Sequence, residues 1–183
     1  MQEFIEGKLT FLFPEDWIVL KYDDSKLHKR MKRVDDTKAV DFMALSSKGN
    51  GETLWIMEVK NPRGHESENK ERITGGGLAL EVAQKVRDSL AGLWVGCWTV
   101  HADMESMRPR FCRPLGGNVS KKVVLFLETA PEWCPEKCDY RKNLSDLLNK
   151  KLRWYGFRCL VYNMEELPKT VGWTVVHTAG SSR

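Results

Sequence analysis

Apolar positions come in two spacings along the chain, and the switch between them predicts the elements. Tight runs at 8–13, "KLTFLF", and 16–22, "DWIVLKY", predict two short strands, the first ended by Pro14. Two more runs, "KAVDFMALS" at 38–46 and "TLWIMEVKN" at 53–61, flank "SKGNGE". Gly49, Asn50 and Gly51 tolerate positive φ, so this pair predicts a hairpin. "KKVVLFLET" at 121–129 is almost continuously apolar, as a strand covered on both faces would be. "FRCLVYNM" at 157–164 predicts another strand, and "GWTVVHT" at 172–178 an edge strand or a tail.

The helical spacing is clearest at 78–96, where Leu78, Val82, Val86, Leu90 and Leu93 recur on one side. A second helix, 139–156, is marked by Leu144, Leu148 and Leu152, with Asp139 in front and Gly156 behind. "DDSKLHKRMKRV" predicts a short helix with Asp23 or Asp24 as its N-cap. The polar stretches 61–77 and 107–118 read as loops. From residue 39 onward the order is strand, strand, helix, strand, helix, strand. It predicts an α/β fold, a mixed central sheet flanked by helices, in a single domain spanning 1–183 with its core at about 38–163.

Composition narrows the class. A 183-residue chain with 42% apolar residues can bury a core without covalent staples. No run is long enough to span a bilayer and no secretory signal is visible, so the expected location is cytoplasmic and the five cysteines are expected as free thiols. Cys134 and Cys138 have metal-ligand spacing but lack a second pair. The tryptophans Trp17, Trp55 and Trp94 fall on apolar patterns that suggest core packing. The net charge of +4 permits an anionic partner. "SKLHKRMKR" gathers Lys29 and Arg30 among its cations, either a solvated helix face or a phosphate-contacting patch. Arg63, His65, Lys70 and Arg72 follow in a polar segment shared with Glu66, Glu68 and Glu71.

The charges at the end of the predicted hairpin change the picture most. Glu58 and Lys60 continue the face of Ile56, while Asp41 lies at the start of the partner strand. Asp41 joins that face only if paired residue numbers total an odd value, such as 99 or 101. Two carboxylates at one sheet edge repel unless a cation lies between them, and Mg²⁺ suits such oxygen ligands. A neighbouring ammonium can orient a metal-bound water, and the three together suit attack on a phosphodiester. The alternative is a surface Glu–Lys pair beside an unrelated aspartate.

With Asp41 and "EVK" at 58–60, followed by a helix and a strand, the sequence resembles the PD-(D/E)XK nuclease superfamily over roughly residues 38–130. Val40 stands where the family name writes Pro. The resemblance implies a restriction-endonuclease-like core in which Asp41, Glu58 and Lys60 are catalytic. It further implies that Asp41 and Glu58 bind Mg²⁺ or Mn²⁺ with the Val59 carbonyl, and that Lys60 serves the attacking water. Some members carry a glutamine on the next helix, which makes Gln84 a supporting candidate, although Asp88 stands where those members have tyrosine. Lys85 and Asp88 are expected on an exposed helical face. The expected function is a metal-dependent nuclease acting on DNA, working as a homodimer or in a larger assembly and without a membrane. Lys29, Arg30, Arg63 and Arg72 are candidate nucleic-acid contacts. The alternatives are a catalytically silent nucleic-acid- or partner-binding domain, or a nuclease acting on RNA.

Overall fold

The computed structural model describes residues 1–34, 36–46, 52–98, 111, 119–130, 133 and 139–178. Two sheets and four helices occur among them. Strands β3 (Ile18–Lys21), β4 (Phe42–Leu45), β5 (Thr53–Lys60), β6 (Ser120–Leu127) and β7 (Arg158–Tyr162) form a five-stranded sheet in that order. β3, β4 and β5 are antiparallel, whereas β5, β6 and β7 are parallel, so the sheet is mixed. A second sheet, in the order β1–β2–β8, is built from β1 (Gln2–Glu6), β2 (Leu9–Phe13) and β8 (Thr174–His177).

The helices flank the large sheet along one face. They are α1 (Lys26–Val34), α2 (Glu66–Thr74), α3 (Gly77–Trp98) and α4 (Tyr140–Leu152). Met43, Leu45, Leu54, Ile56, Val123 and Leu125 meet Leu27, Ile73, Val82, Val86, Leu144 and Leu148 there. The opposite face carries Phe42, Trp55, Met57, Val124 and Phe126, which pack on Leu9, Phe11, Phe13 and Trp173 from the small sheet's side. The near-continuous apolar run of β6 therefore has a direct cause, because both faces are covered.

Several expectations change in detail. The segment read as a loop after Lys60 contains α2. Glu66 anchors its start by accepting hydrogen bonds from the backbone N–H groups of Gly64 and Ala130, both at 2.8 Å. Ser25 caps α1 in place of either aspartate, its Oγ accepting from His28 N at 3.1 Å. Asp139 caps α4 as expected, accepting from Lys142 N at 3.1 Å. Gly156, at φ 71°, closes the turn behind it. The strand expected over 38–46 is shorter, because residues 38–40 hang on α3: Asp88 accepts from Lys38 N and Ser89 Oγ from Val40 N, each at 3.0 Å. Cys97 is disulfide-bonded, correcting the expectation of free thiols, while Cys159 is free and buried. Trp17, Trp55 and Trp173 are core residues, but Trp94 is 54% exposed. No described helix is long and apolar enough to cross a membrane. Cys134, Cys138, His101 and the Gly49–Gly51 turn lie outside the described residues.

Candidate metal centre

β5 outlasts β4 by three residues, and the candidate site occupies that overhang. The β4–β5 pairs run from Phe42 with Met57 to Leu45 with Leu54, each totalling 99. One step further, Asp41 falls opposite Glu58, on the helix-covered face. The ladder has ended there, so the Asp41 side chain replaces it: Oδ2 accepts from Val59 N at 2.6 Å. That N–H is the observed link between Val59 and the site.

Helix α3 supplies the rest. Lys85 Nζ donates to Glu58 Oε1 at 2.6 Å, and Lys60 Nζ reaches the same oxygen at 2.7 Å. Lys60 also meets Glu81 Oε1 at 3.2 Å, and Arg72 holds the other oxygen of Glu81. Glu81 and Lys85 lie four residues apart on one flank of α3, a spacing that aims both at the end of β5.

Glu58 is completely buried and Asp41 is 7% exposed. Glu58 Oε2 has no hydrogen-bond partner among the described residues, although a buried carboxylate oxygen normally has one. Burial first, then the charge of Glu58, pushes the Asp41 carboxyl up to about 7. Burial opposes the charge on Lys60, yet Glu58 and Glu81 outweigh it and hold its pKa above the ordinary lysine value. Glu81 goes the other way: burial opposes its charge, but Arg72 and Lys60 keep its carboxyl below the usual range.

Two acids from the N-terminal segment approach the same place. Oxygens of Glu6, Asp23 and Asp41 lie within 4.8 Å of one another, with Lys21 Nζ 3.0 Å from Glu6. The donor set around Asp41 is thus all oxygen, while the orphaned Glu58 atom lies outside that group, on the strand position opposite Asp41. These residues fit a hard divalent cation. Beside Lys60, under α2, opens a cleft of about 310 Å³ lined by Asn61, His65, Asn69 and Arg72 among others.

The sequence-based candidates divide clearly. Asp41, Glu58 and Lys60 come together. Gln84 is half-buried one position before Lys85, and it is Lys85 that engages Glu58. Lys85 and Asp88 are therefore tied into the site and its support, which corrects their placement on a merely exposed face. Arg63 is taken up by Glu128, Nη2 to Oε1 at 2.8 Å, and Arg72 by Glu81. Lys29 pairs with Asp24 at 3.2 Å on the surface, and Arg30 is exposed on the same helix. Glu6, Glu81 and Lys85 were missed. The i, i+4 pairing of opposite charges beside the α3 apolar stripe was the one available signal for the last two.

No family model matches the chain, and no solved structure matches it. Over 51% of its length the chain is similar to the cysteine–tRNA ligase of Neisseria meningitidis serogroup A, with 31% identity across 124 residues. It spans only 17% of that protein.

Proposed function

We propose that the chain is a metal-dependent nuclease hydrolysing phosphodiester bonds in DNA, built on a restriction-endonuclease-like core. The observation that carries this reading is Glu58 Oε2, a fully buried carboxylate oxygen without a partner among the described residues, opposite Asp41. Asp41 and Glu58 would hold Mg²⁺ or Mn²⁺, with Glu6 and Asp23 gathered on Asp41. The bound cation would supply an activated water and offset charge on the phosphate oxygens.

The chain's own residues do the positioning. Lys85 fixes Glu58 through Oε1 and leaves Oε2 for a ligand. The Val59 N–H fixes Asp41 in the same way. Lys60, kept charged by two carboxylates, donates a hydrogen bond to the attacking water and faces the developing negative charge. The cleft beside it admits the strand that carries the phosphate.

A second reading rests on the same contacts. Two ammonium groups on one oxygen of Glu58 balance its buried charge without a metal ion, which suits a nucleic-acid- or partner-binding domain that does not cut. The partial similarity to a cysteine–tRNA ligase is the reason to include RNA in the test.

The test is cleavage of labelled single- and double-stranded DNA, and of RNA, with Mg²⁺ or Mn²⁺, by the wild type and by Glu58→Gln and Lys60→Ala. Metal-dependent cutting that both variants lose supports the nuclease. Binding without cutting under either metal favours the second reading.

A further inference from the structure

The outer side of α3 carries a surface that the proposed metal centre does not use. Trp94 lies nine residues beyond Lys85, about two and a half turns, so it faces away from Glu58. Its ring leans on that of Trp98, with centroids 5.5 Å apart, and both are more than half exposed. Between α3 and the chain after α4 runs a groove of about 360 Å³, lined by Arg87, Leu90, Trp94, Lys121, Tyr155 and Phe157 among others. Among the described residues its charged lining side chains, Arg87 and Lys121, are both cations.

Positive charge and exposed rings continue beyond the groove. Tyr155 is 46% exposed, and its neighbour Trp154 is 87% exposed with the Arg153 guanidinium 5.2 Å from its ring centre. Lys150 and Lys151 lie in the last turn of α4.

Accessible flat rings among cations are the chemistry of single-strand recognition, where bases stack and phosphates pair. A second copy of the chain fits worse, because a two-fold contact would set this same cationic patch against itself. We propose that the α3–α4 groove binds single-stranded nucleic acid, with bases stacked on Trp94 and Tyr155 and phosphates paired to Arg87, Lys121 and Arg153. This holds whether or not the chain cuts.

The test is fluorescence anisotropy of labelled oligo-dT titrated with the full chain in EDTA. Trp94→Leu should weaken binding about tenfold or more, whereas Trp94→Phe, which keeps a ring, should stay near the wild type. An abasic oligomer of equal charge should bind more weakly than oligo-dT. EDTA strips any divalent cation, so binding read in this way is separate from the proposed metal centre. Tighter binding of oligo-U with the same dependence on Trp94 supports the groove and assigns RNA as its strand. The proposal is overturned if Trp94→Leu and Tyr155→Leu both bind normally, or if the abasic oligomer binds equally well. A wild-type dimer that Trp94→Leu converts to monomer, with oligomer binding unchanged, overturns it in favour of a second copy.

Discussion

Lys85 Nζ stands 2.6 Å from Glu58 Oε1, joining the middle of α3 to the end of β5. Glu58 is fully buried, so this bond and the one from Lys60 compensate its charge from one side only. Removing the ammonium in Lys85→Met should destabilise the fold by about 1–3 kcal/mol, less than for an isolated buried pair because Lys60 remains. Denaturant unfolding checks this. Lys85→Arg should recover part of the loss.

Divalent cations should stabilise the wild type. At 100 times its dissociation constant, a ligand bound only to the folded state contributes about 2.7 kcal/mol. Mg²⁺ or Mn²⁺ should therefore raise the melting temperature of the wild type but not of Glu58→Gln or Asp41→Asn. Equal shifts in all three would place the bound ion elsewhere.

The Asp41 carboxyl gives a pH signature. Its folded pKa, about 7, lies above the ordinary unfolded value, so the folded state holds the extra proton between about pH 4 and 7. Its contribution to stability is present at low pH and lost as pH rises through that window, on the order of 4 kcal/mol at most. Glu81, with its pKa lowered, has the opposite sign and gains stability as pH rises. The difference between wild type and Asp41→Asn isolates the first effect. It should shrink when Mg²⁺ is present.

Gly92 is a packing requirement. A Cβ there would lie 2.3 Å from Tyr22 Oη and 2.7 Å from Met31 Sδ. Tyr22 is fully buried, and its backbone N–H donates to the Asp41 carbonyl at 2.8 Å. Gly92→Ala should cost about 1–3 kcal/mol and weaken metal binding as well. Calorimetric titration beside thermal unfolding reads both effects.

Glu81→Gln should barely change stability, because its pairs with Lys60 and Arg72 are partly solvated. If the chain is a nuclease, the variant should lower kcat more than KM, since Lys60 loses one of the two carboxylates that place it.

Much of this architecture was legible in the residue pattern. Alternation in the two hairpin strands put Asp41, Glu58 and Lys60 on one face once the register totalled 99, and it does. β1 was missed because "QEFIE" is short and half-exposed; its pairing with β2 makes it a strand. α2 was missed because Ile73 is its only buried apolar residue, so it has almost no apolar stripe to detect. Trp94 read as core because it sits inside "LWVGCW", yet the buried positions there are Leu93, Gly96 and Cys97. A helix turns about 100° per residue, which carries position 94 out to solvent.

Asp88, Ser89, Lys85 and Glu81 all belong to α3: two of them hold the chain leading to Asp41, and the others hold Glu58 and Lys60. A single rigid rod thus serves as the jig for both halves of the carboxylate pair. Sliding or tilting that rod would displace both jaws together, so the centre should tighten or fail as a unit.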